Sequence, residues 1–119
     1  MKLACKRCGA VLTTELVRLE DIDRMSETDG EPRVPRGFFH MAGSDSDYEG
    51  KGSVVVNLED LTGAGHAKDG RPYNGCCGID GCDGLNLVCP AGHDVGTERS
   101  DCWMPHCAEF ESELVVVRE

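Results

Sequence analysis

The chain is short of cations: 12 Lys and Arg stand against 22 Asp and Glu, for a net charge of −10. Non-specific affinity for nucleic acid comes from clustered cations that displace counterions from phosphates, so direct nucleic-acid binding is disfavoured. An anionic membrane surface is disfavoured for the same reason. Long apolar runs are missing too. The longest purely aliphatic run is Leu114–Val117, far short of a bilayer span. The opening residues, Met1-Lys2-Leu3-Ala4-Cys5, contain no apolar stretch of signal-peptide length, so the expected location is cytoplasmic. Nucleotide-binding signatures are absent as well. Gly63-Ala64-Gly65-His66 and Asn74-Gly75 share only glycine content with phosphate-cradling loops, and neither is joined to a Walker lysine or a dinucleotide fingerprint.

Core-building residues are sparse. Ile, Leu, Val and Phe make up roughly a fifth of the 119 residues, and aromatics 5%. The length is that of one small domain, taken as residues 1–119, with a core thin enough to need a further source of stability. What the chain does have is 8 cysteines and 4 histidines. In a reducing compartment clustered cysteines read as metal ligands. A secreted scaffold with four disulfides is the alternative, and it lacks a secretion signal.

The expected fold class is mostly β, with a small α+β arrangement as the variant, and long glycine-rich and acidic loops. Val11–Leu19 is rich in β-branched residues and reads as a strand leaving a turn. Residues 20–52 read as an acidic, loop-rich insertion punctuated by glycine and proline, with Phe38-Phe39-His40-Met41 as its apolar island. Ser53–Leu58 reads as a buried strand, followed by one helical turn capped by Asn57. Leu85–Val88 and Glu113–Arg118 complete the strand-like stretches.

Cys5-x-x-Cys8-Gly9 is the most specific motif. Two thiolates three positions apart can chelate one zinc when the backbone forms a tight knuckle, and a glycine after the second cysteine supplies the positive φ such a turn needs. A redox pair is the competing reading, but such pairs open a helix after a βαβ pattern, and the residues after Gly9 are strand-like. The second half-site falls at Leu87-Val88-Cys89-Pro90-Ala91-Gly92-His93: a strand, Cys-Pro, a glycine turn, then a return strand from Asp94. Together the two pieces resemble a zinc ribbon, in which two hairpin knuckles grip one tetrahedral metal. The resemblance covers about 30 residues in two separated segments. It departs from the ribbon pattern at position 92, where a second CPxC would place a cysteine and this chain has Gly92. The fourth ligand is therefore assigned to His93, with a surface-turn histidine as the bland alternative. Joining Cys8 to Cys89 through a metal closes a loop of about 80 residues, and in the chain-entropy account a link of that length is worth on the order of 4 kcal/mol.

A second zinc site is expected from two C-x4-C loops, Cys77 with Cys82 and Cys102 with Cys107. Cys76 is an alternative to Cys77, since adjacent residues on a strand face opposite ways; His66 and His106 are further candidates. At least one Zn2+, and two if both loops serve, is the cofactor expectation. An iron–sulfur cluster is disfavoured by the spacing.

Filled tetrahedra leave no position for a substrate water, so the functional expectation is a protein-binding or adaptor module with structural zinc. The net charge suggests a basic partner. The enzymatic alternative is a zinc hydrolase with His66 or His106 completing an open site and Glu98, Asp101 or Asp80 as base, or a thiol redox protein using Cys76 and Cys77.

Overall fold

The structure, a computed structural model, describes residues 1–42, 52–67, 79 and 85–119. Its strands are β1 (Lys2–Cys5), β2 (Val17–Arg18), β3 (Phe38–Ala42), β4 (Ser53–Val56), β5 (Gly65–His66), β6 (Leu87–Val88), β7 (Asp94–Arg99), β8 (Cys107–Glu111) and β9 (Val115–Arg118). The helical content of the described residues is two short 3-10 turns, Ile22–Arg24 and Leu58–Asp60. The fold is mostly β, as the sequence indicates.

Seven strands form one sheet in the order β2-β3-β4-β8-β7-β6-β5, and β1 pairs with β9 in a second, two-stranded sheet. The large sheet is antiparallel except where β2 runs parallel to β3. Alternation along its central strands divides the core in two. Val54 and Val56 of β4, with Ala108 and Phe110 of β8, face a cluster that also holds Leu3, Cys5, Leu12, Leu16, Leu87, Cys89, Val95 and Val115. Val55 and Cys107 face the other way, against Leu19 and Val34. Segment 19–34 thus covers one side of the large sheet, and the β1–β9 sheet covers the other.

Several local expectations hold. β3 contains the Phe38–Met41 island, β4 begins at Ser53, and Asn57 caps the 3-10 turn by accepting from the Glu59 N–H at 2.8 Å. The expected strand over Val11–Leu19 is corrected. Val11 bridges Ala4 and Thr13 bridges Leu61, and only Val17–Arg18 joins the large sheet. The chain changes neighbours every two or three residues there, so no continuous ladder forms. The strand at the first knuckle precedes Cys5 rather than following Cys8.

One buried carboxylate ties these crossings together. Asp60 is 2% exposed; it accepts from the Gly37 N–H at 2.7 Å and the Thr14 hydroxyl at 3.1 Å, while its carbonyl accepts from the Thr14 N–H at 2.9 Å. Three segments distant in sequence meet on it.

Candidate metal centre

Cys5 ends β1, and the chain turns back at once. The Gly9 N–H donates to the Cys5 carbonyl at 2.8 Å and the Cys5 N–H to the Ala10 carbonyl at 2.9 Å. Gly9 closes this knuckle at φ +77°, a conformation costly for any residue with a Cβ. The second turn is built alike after β6. Gly92 donates to the Cys89 carbonyl and Cys89 to the His93 carbonyl, both at 2.9 Å, with Gly92 at φ +89°. The knuckles differ in the order of ligand and glycine: Cys8 then Gly9 in the first, Gly92 then His93 in the second. The imidazole is longer than a cysteine side chain, and it reaches the centre from one position further on.

The four donors converge. Cys5, Cys8, Cys89 and His93 each offer one ligand atom, all within 4.8 Å of one another. Cys8 Sγ lies 3.6 Å from Cys89 Sγ, and His93 Nδ1 lies 3.4 Å from Cys89 Sγ and 3.7 Å from Cys5 Sγ. A tetrahedron with metal–sulfur bonds of about 2.3 Å and a metal–nitrogen bond of about 2.0 Å has edges of about 3.5–3.8 Å. The spacing and the donor set fit a metal ion held by three thiolates and one imidazole, with the nitrogen donor Nδ1.

Burial divides the four. Cys5 and Cys89 belong to the larger core cluster, His93 is half-buried and Cys8 is exposed. The hydrophobic core therefore runs directly into the inner wall of the site. Burial pushes the Cys89 thiol up, but the N–H groups of His93 and Ala91 and the thiols of Cys8 and Cys5 outweigh it and bring it down to about 7. At Cys8 the Ala10 N–H lowers the pKa, while desolvation and the Cys89 and Cys5 thiols raise it further, for a net upward shift. The two neighbouring thiols are thus shifted in opposite directions, Cys89 down and Cys8 up.

The remaining expected ligands are not brought to this centre. Cys107 sits on β8 with its side chain on the opposite face of the large sheet, 1% exposed. Burial, with the nearby Glu109 carboxylate, pushes its thiol up to about 12. Cys102 is exposed, and its sulfur is disulfide-bonded rather than presented as a thiolate. Cys76, Cys77, Cys82 and Asp80 lie outside the described residues. Among the described residues, the Cys5, Cys8, Cys89 and His93 group is the one cluster able to hold a metal.

The residues weighed for catalysis are occupied in structural bonds. His66 Nε2 lies 2.8 Å from Glu98 Oε1, and the other Glu98 oxygen accepts from the Ser100 hydroxyl at 2.8 Å. His106 Nε2 is 3.0 Å from the Asp101 carbonyl, and the Asp101 carboxylate accepts from the Cys102 N–H at 2.7 Å. Trp103, next to Cys102, is 53% exposed. Sequence reasoning missed β8 altogether by reading Cys107 as the end of a metal loop. The alternation of Ala108 and Phe110 against Glu109 and Glu111 was the available signal.

No family model, curated protein or solved structure matches this chain. The site and fold therefore define its class on their own geometry: a mostly β protein with a Cys3His cluster that could hold a metal ion. No helix of the described residues is long and apolar enough to cross a membrane.

Proposed function

We propose that the chain is a structural-zinc protein that acts by binding another protein, with its zinc-ribbon-like centre serving the fold and not catalysis. The observation that carries this reading is the closed Cys3His cluster, whose donor-to-donor edges of 3.4, 3.6 and 3.7 Å suit a small tetrahedral ion. Three sulfurs and one nitrogen select zinc over oxygen-seeking cations such as magnesium or calcium. All four tetrahedral positions are taken by the chain, which leaves none for a substrate water.

Where the donors sit supports a structural role. β1 and β9 form a sheet of only two strands, marginal by itself in water. A zinc bound through Cys5 and Cys8 at the end of β1 and through Cys89 and His93 on the large sheet ties the two sheets together. Such a metal contributes to folding directly, because the unfolded chain has no preformed site. With the metal assigned to the fold, an adaptor role rests on the surface. The net charge of −10 favours protein partners over phosphate backbones, and basic partners over acidic ones for the molecule taken as a whole.

The test is native mass spectrometry with elemental analysis of the reduced full chain, followed by thiol counting before and after chelation. One zinc that protects Cys5, Cys8 and Cys89 from alkylation, and releases them with chelator, supports the reading. Zinc-free protein with a folded, cooperative unfolding transition would remove it. A second equivalent of zinc would revive the site expected from Cys77, Cys82, Cys102 and Cys107.

A further inference from the structure

β9 is bonded to β1 along one edge, and among the described residues nothing pairs with the other. Lys6 donates to the Leu114 carbonyl at 3.0 Å across the β1–β9 ladder. This makes Leu114, Val116 and Arg118 the hydrogen-bonding partners of β1, because antiparallel pairs alternate. The N–H and C=O groups of Val115 and Val117 therefore point away from β1, and none of the described residues pairs with them. Val116 is 37% and Val117 57% exposed, on opposite faces of the strand. Val11 bridges Ala4 and Ala4 pairs with Val116, so the exposed Val11 and Val116 flank the buried Ala4 across the small sheet.

Charge selects what this edge takes. On the large sheet and its cover most described cations are engaged, Arg33 with Glu27 at 2.9 Å, Arg99 with Glu109 at 3.0 Å, Arg36 near Glu59 at 3.6 Å and Arg24 over the Phe38 ring, while Arg18 of β2 stands apart from any ion pair among the described residues. Lys2, Lys6, Arg7 and Arg118 have no ion pair among the described residues. All four gather at the β1–β9 end. Lys2 stands directly opposite Arg118, Lys6 and Arg7 are exposed between the two cysteines of the first knuckle, and the Arg118 guanidinium reaches over Gly9, 2.9 Å from where a Cβ there would lie. Glu113 and Glu119 bound the strand, so the complementary stretch is short: an acid opposite Arg118 and β-branched residues opposite Val116 and Val117.

We propose that β9 is a docking edge at which an extended, acidic segment of a partner protein adds as a further strand, bonded to the main chain of Val115 and Val117 and neutralising Arg118 and Lys2. The proposal rests on the reading of this chain as a protein-binding module. It reverses, at this one edge, the partner charge that the whole-chain balance favours. Main-chain bonds give such added strands affinity and side-chain pairs give them specificity.

The test uses the zinc-loaded full chain and two fluorescein-labelled peptides of about eight residues, one alternating Val and Glu, the other Val and Lys. The Glu peptide is expected to bind at least about tenfold more tightly and to slow hydrogen exchange at the Val117 amide at least about tenfold. Val117→Pro, which removes the outward N–H without touching a β1 bond, should abolish binding. Should that variant not fold, Lys2→Glu with Arg118→Glu should reverse the preference between peptides. Equal binding of both peptides, no binding, or protection away from β9 would each overturn the proposal. Zinc retention measured in the same samples separates this failure from failure of the structural-zinc reading.

Discussion

Cys8 and Cys89 stand 81 positions apart in the chain with their sulfurs 3.6 Å from each other. Neither residue is placed by the other's neighbours in sequence. Cys8 is carried by a knuckle at the end of β1, Cys89 by a turn at the end of β6, and the core cluster shared by Cys5 and Cys89 brings the two turns face to face.

Metal removal tests that relationship most directly. A bound ion linking these turns closes a loop of about 80 residues, so chelation should cost on the order of 4 kcal/mol of unfolding free energy. Urea unfolding with and without a zinc chelator reads this. Cys5→Ser and Cys8→Ser should reproduce the loss, and a variant that unfolds at the wild-type midpoint would mean the cluster bears no structural metal.

His93→Ala should leave a three-thiolate site and weaken metal binding at least about tenfold, by analogy with the cost of disturbing a ligand's support. Cobalt substitution gives an independent signature. The wild-type visible bands should be those of a tetrahedral site with three sulfurs and one nitrogen, and the variant's bands should shift. Unchanged spectra would place the fourth ligand elsewhere.

Asp60→Ala removes the acceptor for the Gly37 N–H and the Thr14 hydroxyl in a site only 2% exposed. Leaving buried donors without partners costs about 1–3 kcal/mol, to be read as a lowered midpoint in chemical denaturation. A loss below about 0.5 kcal/mol would show that water replaces the carboxylate.

Cys107 should be the slowest free thiol among Cys5, Cys8, Cys89 and Cys107 in metal-free native protein. Burial comes first and the Glu109 carboxylate second in pushing its pKa up to about 12, so almost no thiolate exists at pH 8. Timed alkylation with peptide mass spectrometry checks the order, and fast Cys107 labelling would contradict its burial.

His40 on β3 is held below its ordinary value of 6.5, by burial first and then by the positive charges of Arg33 and Arg18. Its neutral form is favoured in the folded state, so below about pH 6.5 the unfolded chain binds more protons and stability declines as pH falls through the folded pKa. His40→Gln should flatten the pH dependence of the unfolding free energy below about pH 6.5. An identical slope would assign the loss to other groups.

Most of what was legible in the sequence was local. The Cys5–Cys8–Gly9 spacing indicated a knuckle because two thiolates and a following glycine form a chemical unit within five residues. Val54, Val55 and Val56 indicated a strand buried on both sides, and Asn57 indicated the cap of the turn after it. His93 was reached by the same local logic, from a glycine turn that mirrors the first with its ligand displaced by one position.

What only the tertiary structure decided was pairing. That β1 joins β9, that β8 exists beside β4, and that Cys107 faces away from the Cys3His cluster all depend on which strand lies next to which. Hydrophobic alternation indicates a strand's two faces but does not name its neighbours. Ligand type is a property of single residues, whereas a ligand set is a property of the distances between them, and the core packing around Cys5 and Cys89 sets those distances.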